Sequence, residues 1–183
     1  MDFWDVLRHR RSIRKFTTQE VEDEKLVKLL EAAFLSPSSH DKRPWHFIVV
    51  KQRETLDKLS ESKNGAQGLH NAQASIVVCA NSEISDVWIE DAAIAAHNIN
   101  MAAVSLGLGS FWVQIRNRMH NEEMSAEDYV RHLLSIPANI KVLSIIGLGY
   151  PLKKKPPKEA ILDEKKISSE IFSKIFKLTD KDL

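Results

Sequence analysis

A mixed α/β layer protein of one domain is what this sequence predicts, on three observations. Four short apolar runs, at 46–50, 74–80, 110–115 and 141–149, have the length and β-branched content of strands. The stretches between them repeat apolar residues every three or four positions, the period of a helix. A length of 183 residues without internal repeats makes about one domain, able to bury a core without staples.

Asp2 is placed to cap a first helix whose Phe3, Trp4 and Leu7 fall on one face. The polar stretch 17–23 leads into a second helix, where Leu26, Leu29, Leu30, Ala33 and Phe34 form a buried stripe and Pro37 ends it. "HFIVV" (46–50) reads as a buried strand, "RETLDKLSES" as a short helix and "NGAQGL" as a turn into another. "ASIVVCA" (74–80) is the second buried strand. From Val87 to Leu106 the chain reads as a long helix, apolar nearly all round, with Ile89, Ala92, Ala93, Ala96, Ile99 and Ala103 on its packed side. Such a helix belongs in a core or a subunit interface.

"GLG" (107–109) ends that helix, glycine supplying a left-handed cap. "SFWVQI" is the third strand. In "SAEDYVRHLLSI" Ser125 is the N-cap and Asp128 stands three residues on, a weaker form of the capping box. "KVLSIIGLG" is the fourth strand, stopped by Tyr150-Pro151. Beyond it "PLKKKPPKEAILDEKK" is charged and proline-bearing, as an extended arm would be. Ile167, Ile171, Phe172, Ile175 and Phe176 then predict an amphipathic terminal helix, which must dock on its own body or on a partner.

Lys and Arg number 26 and Asp and Glu 25, so the net charge of +1 gives no global pull toward nucleic acid or an anionic membrane. The single cysteine, Cys79, excludes an intramolecular disulfide and a cysteine-cluster metal site. Inside "ASIVVCA" it reads as a small buried hydrophobe. The opening "MDFWDVLRHR" lacks the apolar core of a signal peptide, and no run of roughly 18 apolar residues occurs. A soluble, cytoplasmic protein is expected.

The sharpest local feature is "HRRSIRKF" (9–16). Arg10, Arg11 and Arg14 with Ser12 offer forked guanidinium donors and a hydroxyl, the groups that hold a phosphate. A solvated basic turn is the plain alternative. "SPSSHDKRPWHF" (36–47) breaks a helix into a loop carrying Ser38, Ser39, His40, Asp41 and Arg43, then enters a strand through Pro44-Trp45. Its hydroxyls and backbone donors suit a flat ligand; an ordinary helix-to-strand turn is the alternative. His40 and His46 stand at no metal-binding spacing, so no metal site is expected. There is no GxGxxG after a strand, no GxxxxGK[ST], no GxSxG, and no Cys–His or Ser–His–Asp order. A cofactor would have to carry any reaction, and no catalytic side chain is nominated.

In that order and at those separations, "RRSIRKF", "SPSSHDKRPWHFIVV", "EDAAIAAHNINMAAVSLGLGSFWVQI" and "SIIGLGYP" resemble the FMN-dependent nitroreductase family, its short bacterial members above all. The likeness runs from about Phe3 to Pro151. It implies an α+β fold with a mixed central sheet flanked by helices, in an intertwined homodimer whose FMN sites lie in the interface. It implies one FMN-binding domain over 1–183, with 152–183 as a C-terminal arm and helix. The implied reaction is ping-pong: NADH or NADPH reduces FMN, which then reduces a nitroaromatic, a quinone or a similar small acceptor.

By that resemblance Arg10, Arg11, Ser12 and Arg14 hold the phosphate and ribityl end of the flavin. Pro37, Ser38 and Ser39 lie against the ring system across the dimer. Trp112, Val113 and Gln114 run beside the isoalloxazine, and Lys153 and Lys155 complete the phosphate site after the turn at Gly149. The chain departs from the family at Asp41, where asparagine is common; a carboxylate beside a reduced flavin is unfavourable, so Asp41 is expected to turn away or pair with Arg43. His46 stands where close relatives often carry glutamate. Two other classes share these residues: a flavin-storing protein with little turnover, and an anion- or nucleic-acid-binding module, which would be colourless and salt-sensitive.

Overall fold

Strands β1 (Trp45–Val50), β2 (Ala74–Asn81), β3 (Gly109–Gln114) and β4 (Ile140–Gly149) form one sheet in the order β1-β2-β4-β3. The coordinates are a computed structural model and describe residues 1–177. All pairings between these strands are antiparallel. Among the described residues, parallel register enters at an isolated bridge from Ser12 to Ser110. Helices α1 (Phe3–His9), α2 (Asp23–Phe34), α3 (Arg53–Ser60), α4 (Trp88–Ser105) and α5 (Ala126–Leu134) complete an α+β architecture.

Both faces of the sheet are covered. On one side α2 and α4 pack Leu29, Ala33, Ala96 and Ile99 against Ile76, Val78 and Ile146. On the other, α3, α5 and Phe16 pack against Val77, Cys79, Phe111 and Ile145. β2 lies inside the sheet between two covered faces, and for that reason its whole run Ala74–Ala80 is buried. A bulge opposite Val78 and Cys79 adds one residue to β4, which turns Val142 and Ile145 toward the same face despite their odd spacing.

Three expectations are corrected here. β1 was to be a buried strand, yet it is an edge strand with His46 and Val49 exposed, because β2 pairs it on one side only. Asp2 does cap α1, its Oδ1 accepting from Asp5 N at 2.8 Å, but Phe3 and Trp4 remain 66% and 64% exposed. The two-turn helix buries Val6 instead. Among the described residues the stripe from Ile167 to Phe176 forms no helix: a 3-10 turn at Glu164–Lys166 is followed by a turn closed by an antiparallel bridge between Ser168 and Ile175. Glu170 and Ser173 take left-handed backbone angles there (φ 64 and 76), which no α-helix permits. A short amphipathic helix depends on a surface to pack against, and Ile171 and Phe172 are largely exposed among the described residues.

Among the described residues no helix is long and apolar enough to cross a membrane.

Candidate functional site

The basic opening segment is laid along the sheet by its backbone. Ile13 N donates to Ser110 O at 2.9 Å, and Thr17 N to Tyr150 O at 2.9 Å. Leu152 N returns a bond to Lys15 O at 3.0 Å, and Phe16 bridges Pro151. Segment 12–17 therefore runs beside the start of β3 and past the end of β4, which brings the two basic ends of the chain together. Tyr150 steadies that exit: its hydroxyl donates to the Glu22 carboxylate at 2.7 Å, and this bond holds the Glu22 carboxyl below the usual carboxylate range.

Two concavities share Ser12. Ser12, Arg14, Lys153 and Lys155 line one of about 490 Å³. Arg10, Ser12, His97, Asn100 and Trp112 line the other, of about 270 Å³. None of Arg10, Arg14, Lys153 and Lys155 is ion-paired among the described residues. Arg14, Lys153, Lys155 and the Ser12 hydroxyl around one cavity, with Arg10 in the next, bring two distant segments together as a donor set for a phosphate ester. Arg11 lines a third concavity of about 320 Å³ with His9, Val104 and Leu108, which Lys153 and Lys155 also border. Extended backbone alternates its side chains, and Arg11 falls on the side opposite Ser12.

The same alternation sorts β3. Val113 is buried in the core, whereas Trp112 and Gln114 are half-buried on the other face. Trp112 Nε1 donates to Gln114 Oε1 at 2.9 Å, and Gln114 Nε2 to Arg116 O at 3.0 Å. Their polar atoms are thus pre-paired, leaving the indole as a fixed wall. Gly149 is also in the core: a Cβ there would lie 2.8 Å from the Phe16 ring. It permits close packing of the basic segment rather than contact with a ligand.

The loop 36–43 stands apart from all of these: none of Pro37, Ser38, Ser39 and Asp41 lines the three concavities. Asp41 pairs with Arg43 at 2.6 Å, and Ser38 Oγ accepts from Arg43 N at 3.0 Å. Ser39 N donates to the buried Asp91 at 2.9 Å.

A profile of the nitroreductase family matches residues 7–83 and 60–150. The chain belongs to the nitroreductase family. Among its relatives, a nitroreductase-family protein of Archaeoglobus fulgidus, provisionally named NADH dehydrogenase/NAD(P)H nitroreductase, is 46% identical, over 82% of this chain and 86% of its own. The FMN reductase [NAD(P)H] of Bacillus subtilis is 29% identical, over 85% of this chain and 70% of its own. In three dimensions the chain is similar to an FMN-dependent nitroreductase of Clostridium difficile R20291, at a TM-score of 0.90 and 45% identity, covering 92% of this chain and 99% of that one.

This chain thus gathers Arg10, Ser12, Arg14, Trp112, Lys153 and Lys155 around two adjoining cavities. Arg11 lies in a third cavity that Lys153 and Lys155 also border, Val113 and Gly149 are sunk in the core, and Pro37, Ser38, Ser39 and Asp41 line none of the three. His97, Asn100 and Asp91 were not nominated from the sequence. Their signal was present, as polar interruptions of an otherwise apolar helix whose buried polar groups demand partners.

Proposed function

We propose that this chain is a homodimeric FMN-dependent NAD(P)H oxidoreductase that reduces nitroaromatics, quinones or a similar small acceptor by a ping-pong mechanism. One observation supports it above the rest: Arg14, Lys153 and Lys155 line a cavity that adjoins, through Ser12, the one lined by Arg10 and Trp112. FMN, held there, would supply the hydride-accepting and electron-donating chemistry that no side chain of the site offers. Everything else falls to the protein. Arg10, Arg14, Lys153 and Lys155 would neutralise the FMN phosphate, and the Ser12 hydroxyl would bond at the junction of the two cavities. Trp112 bounds the ring, and Gln114 keeps the indole in place.

Within one chain no described residue of the loop 36–43 lines the cavity beside Trp112. A second copy would face that cavity with its own loop at Pro37, Ser38 and Ser39, with Asp41 held off by Arg43. Exposed apolar side chains favour that assembly: Ile161 is 94% and Phe172 95% exposed on the arm, more than a lone chain ordinarily leaves in water. The cytoplasm, with its reduced nicotinamide pool, suits this reaction.

Freshly purified protein should absorb near ~450 nm, bleach anaerobically on addition of NADH or NADPH, and sediment as a dimer at micromolar concentration. A flavin-storing protein would show the spectrum without steady-state NAD(P)H oxidation. Colourless protein that takes up no FMN refutes the proposal.

A further inference from the structure

α4 grips the loop between α2 and β1 at two points. Asp91, 3% exposed in the first turn of α4, uses both carboxylate oxygens. Oδ1 accepts from the Ser39 main-chain N–H at 2.9 Å, and Oδ2 from the Ser85 hydroxyl at 2.9 Å. Two turns on and on the same face, Asn98 Nδ2 donates to Ser36 Oγ at 2.8 Å. Just beyond these anchors the backbone is contorted: His40, Asp41 and Arg43 have φ of 49, 55 and 46, and none is glycine. Such angles persist only where the surroundings over-determine them.

The chemistry of Asp91 explains the grip. A buried carboxylate with no cation beside it must be held by hydrogen bonds and the positive end of its helix. It has no ion-pair partner among the described residues. The Ser39 N–H therefore meets an acceptor that cannot do without it, through a charge-assisted bond stronger than a neutral one.

We infer that Asp91 is a positioning residue: it fixes the main chain of Ser39 and so the place of Ser38 and Ser39 on the wall offered to the flavin, a role that rests on the function proposed above. α4 is suited to this coupling, since His97 and Asn100 on the same helix line the cavity beside Arg10 and Trp112.

Two readouts test it. In apo protein, tryptic cleavage after Lys42, followed by mass spectrometry, reads the loop alone, the Arg43–Pro44 bond being resistant. FMN affinity by fluorescence titration reads the consequence. Asp91→Ala should be cleaved several-fold faster and bind FMN about tenfold more weakly. Asp91→Asn keeps an acceptor for the Ser39 N–H and a donor for Ser85 Oγ, and should restore both to within about threefold of the wild type. If Asp91→Ala does not fold, Asp91→Ser, too short to span both partners, carries the same expectation. A merely structural role would lower thermal stability in these variants and leave cleavage and affinity unchanged; that result overturns the inference. Faster cleavage with unchanged FMN affinity overturns it too. Wild-type protein that binds no FMN counts instead against the proposed function.

Discussion

Ser12 pairs with Ser110 in parallel register, and Ser110 Oγ in turn donates to Asn100 Oδ1 at 2.7 Å. The basic segment is thereby tied to β3, and β3 to α4, through buried polar groups. Arg10 and Arg14 project from a registered backbone rather than from a loose turn, so their cations are placed before any ligand arrives. Pre-placed donors lose less entropy on binding than donors on mobile chain.

Replacing Arg10 or Arg14 by Ala removes a charge-assisted contact worth roughly 1.5–3 kcal/mol, a fall in FMN affinity of about tenfold to a hundredfold. Arg11→Ala should change it about threefold or less, because Arg11 does not line the cavity of Ser12 and Arg14 and donates instead to Pro156 O at 3.3 Å. Fluorescence titration of apo protein with FMN at fixed ionic strength checks both. Equal losses at Arg11 and Arg14 would contradict the side-chain assignment.

Gly149 is required by the ring beneath it. A methyl group at that position would stand 2.8 Å from Phe16, and Phe16 is itself packed on Phe111, with ring centroids 6.1 Å apart. Gly149→Ala must displace the ring or the strand, at a cost of roughly 1–3 kcal/mol in urea unfolding. Because Phe16 lies two residues beyond Arg14, FMN affinity should fall as well. Gly107→Ala, by contrast, meets no atom and is opposed by its left-handed backbone alone (φ +76), a smaller loss of about 1 kcal/mol with affinity retained.

Much of this was legible in the sequence, for identifiable reasons. β2 reads as an unbroken apolar run because both its faces are covered. Ser125 announces α5, and its Oγ does accept from Asp128 N at 2.9 Å. Which strand lies at the edge is a property of sheet order, so the exposure of His46 and Val49 was hidden. Arg11, Ser12, Val113 and Trp112 differ only in the side they face, which neighbouring elements decide. The Ile171–Phe176 stripe has helical spacing, yet spacing cannot supply the surface that a short helix needs. Asp91 was visible as a polar residue in an apolar helix, but its partner Ser39 lies 52 positions away.

Cys79 should be chemically silent. Burial pushes its thiol up from the ordinary 9.0 to about 12. At pH 8 only about one molecule in ten thousand then carries the thiolate, and iodoacetamide should label folded protein far more slowly than unfolded. The linkage has a definite sign. Above pH 9 the unfolded thiol loses its proton while the folded one keeps it, so this group costs stability progressively as pH rises from about 9 toward about 12. Unfolding measured against pH should show a shallower alkaline decline in Cys79→Ala than in the wild type. Parallel curves would mean that the thiol does not titrate differently in the two states.

None of His40, Asp41 and His46 stands as a nucleophile or a tuned acid–base group at the proposed ring site, and the structure gives a reason for each of the three. Asp41 is engaged by Arg43 at 2.6 Å, with both side chains largely in solvent. His46 lies on the edge strand, lining a concavity with Phe47, Asn81 and Ile136, away from Arg10 and Trp112. His40 is exposed at the tip of the contorted loop. Alanine at any one of the three should therefore cost anaerobic flavin reduction only a few-fold, whereas loss of a true general acid costs about 10²–10⁴-fold. Donor and acceptor would use the same space over the ring in turn, giving parallel double-reciprocal plots and mutual competition. Stopped-flow reduction by NADH and NADPH of the His40, Asp41 and His46 variants, each with FMN bound, makes the comparison. A several-hundred-fold loss at one of them would place a proton-transferring side chain at the ring and require the loop to stand differently in the dimer. Intersecting plots would rule out the ping-pong order and require donor and acceptor to bind together.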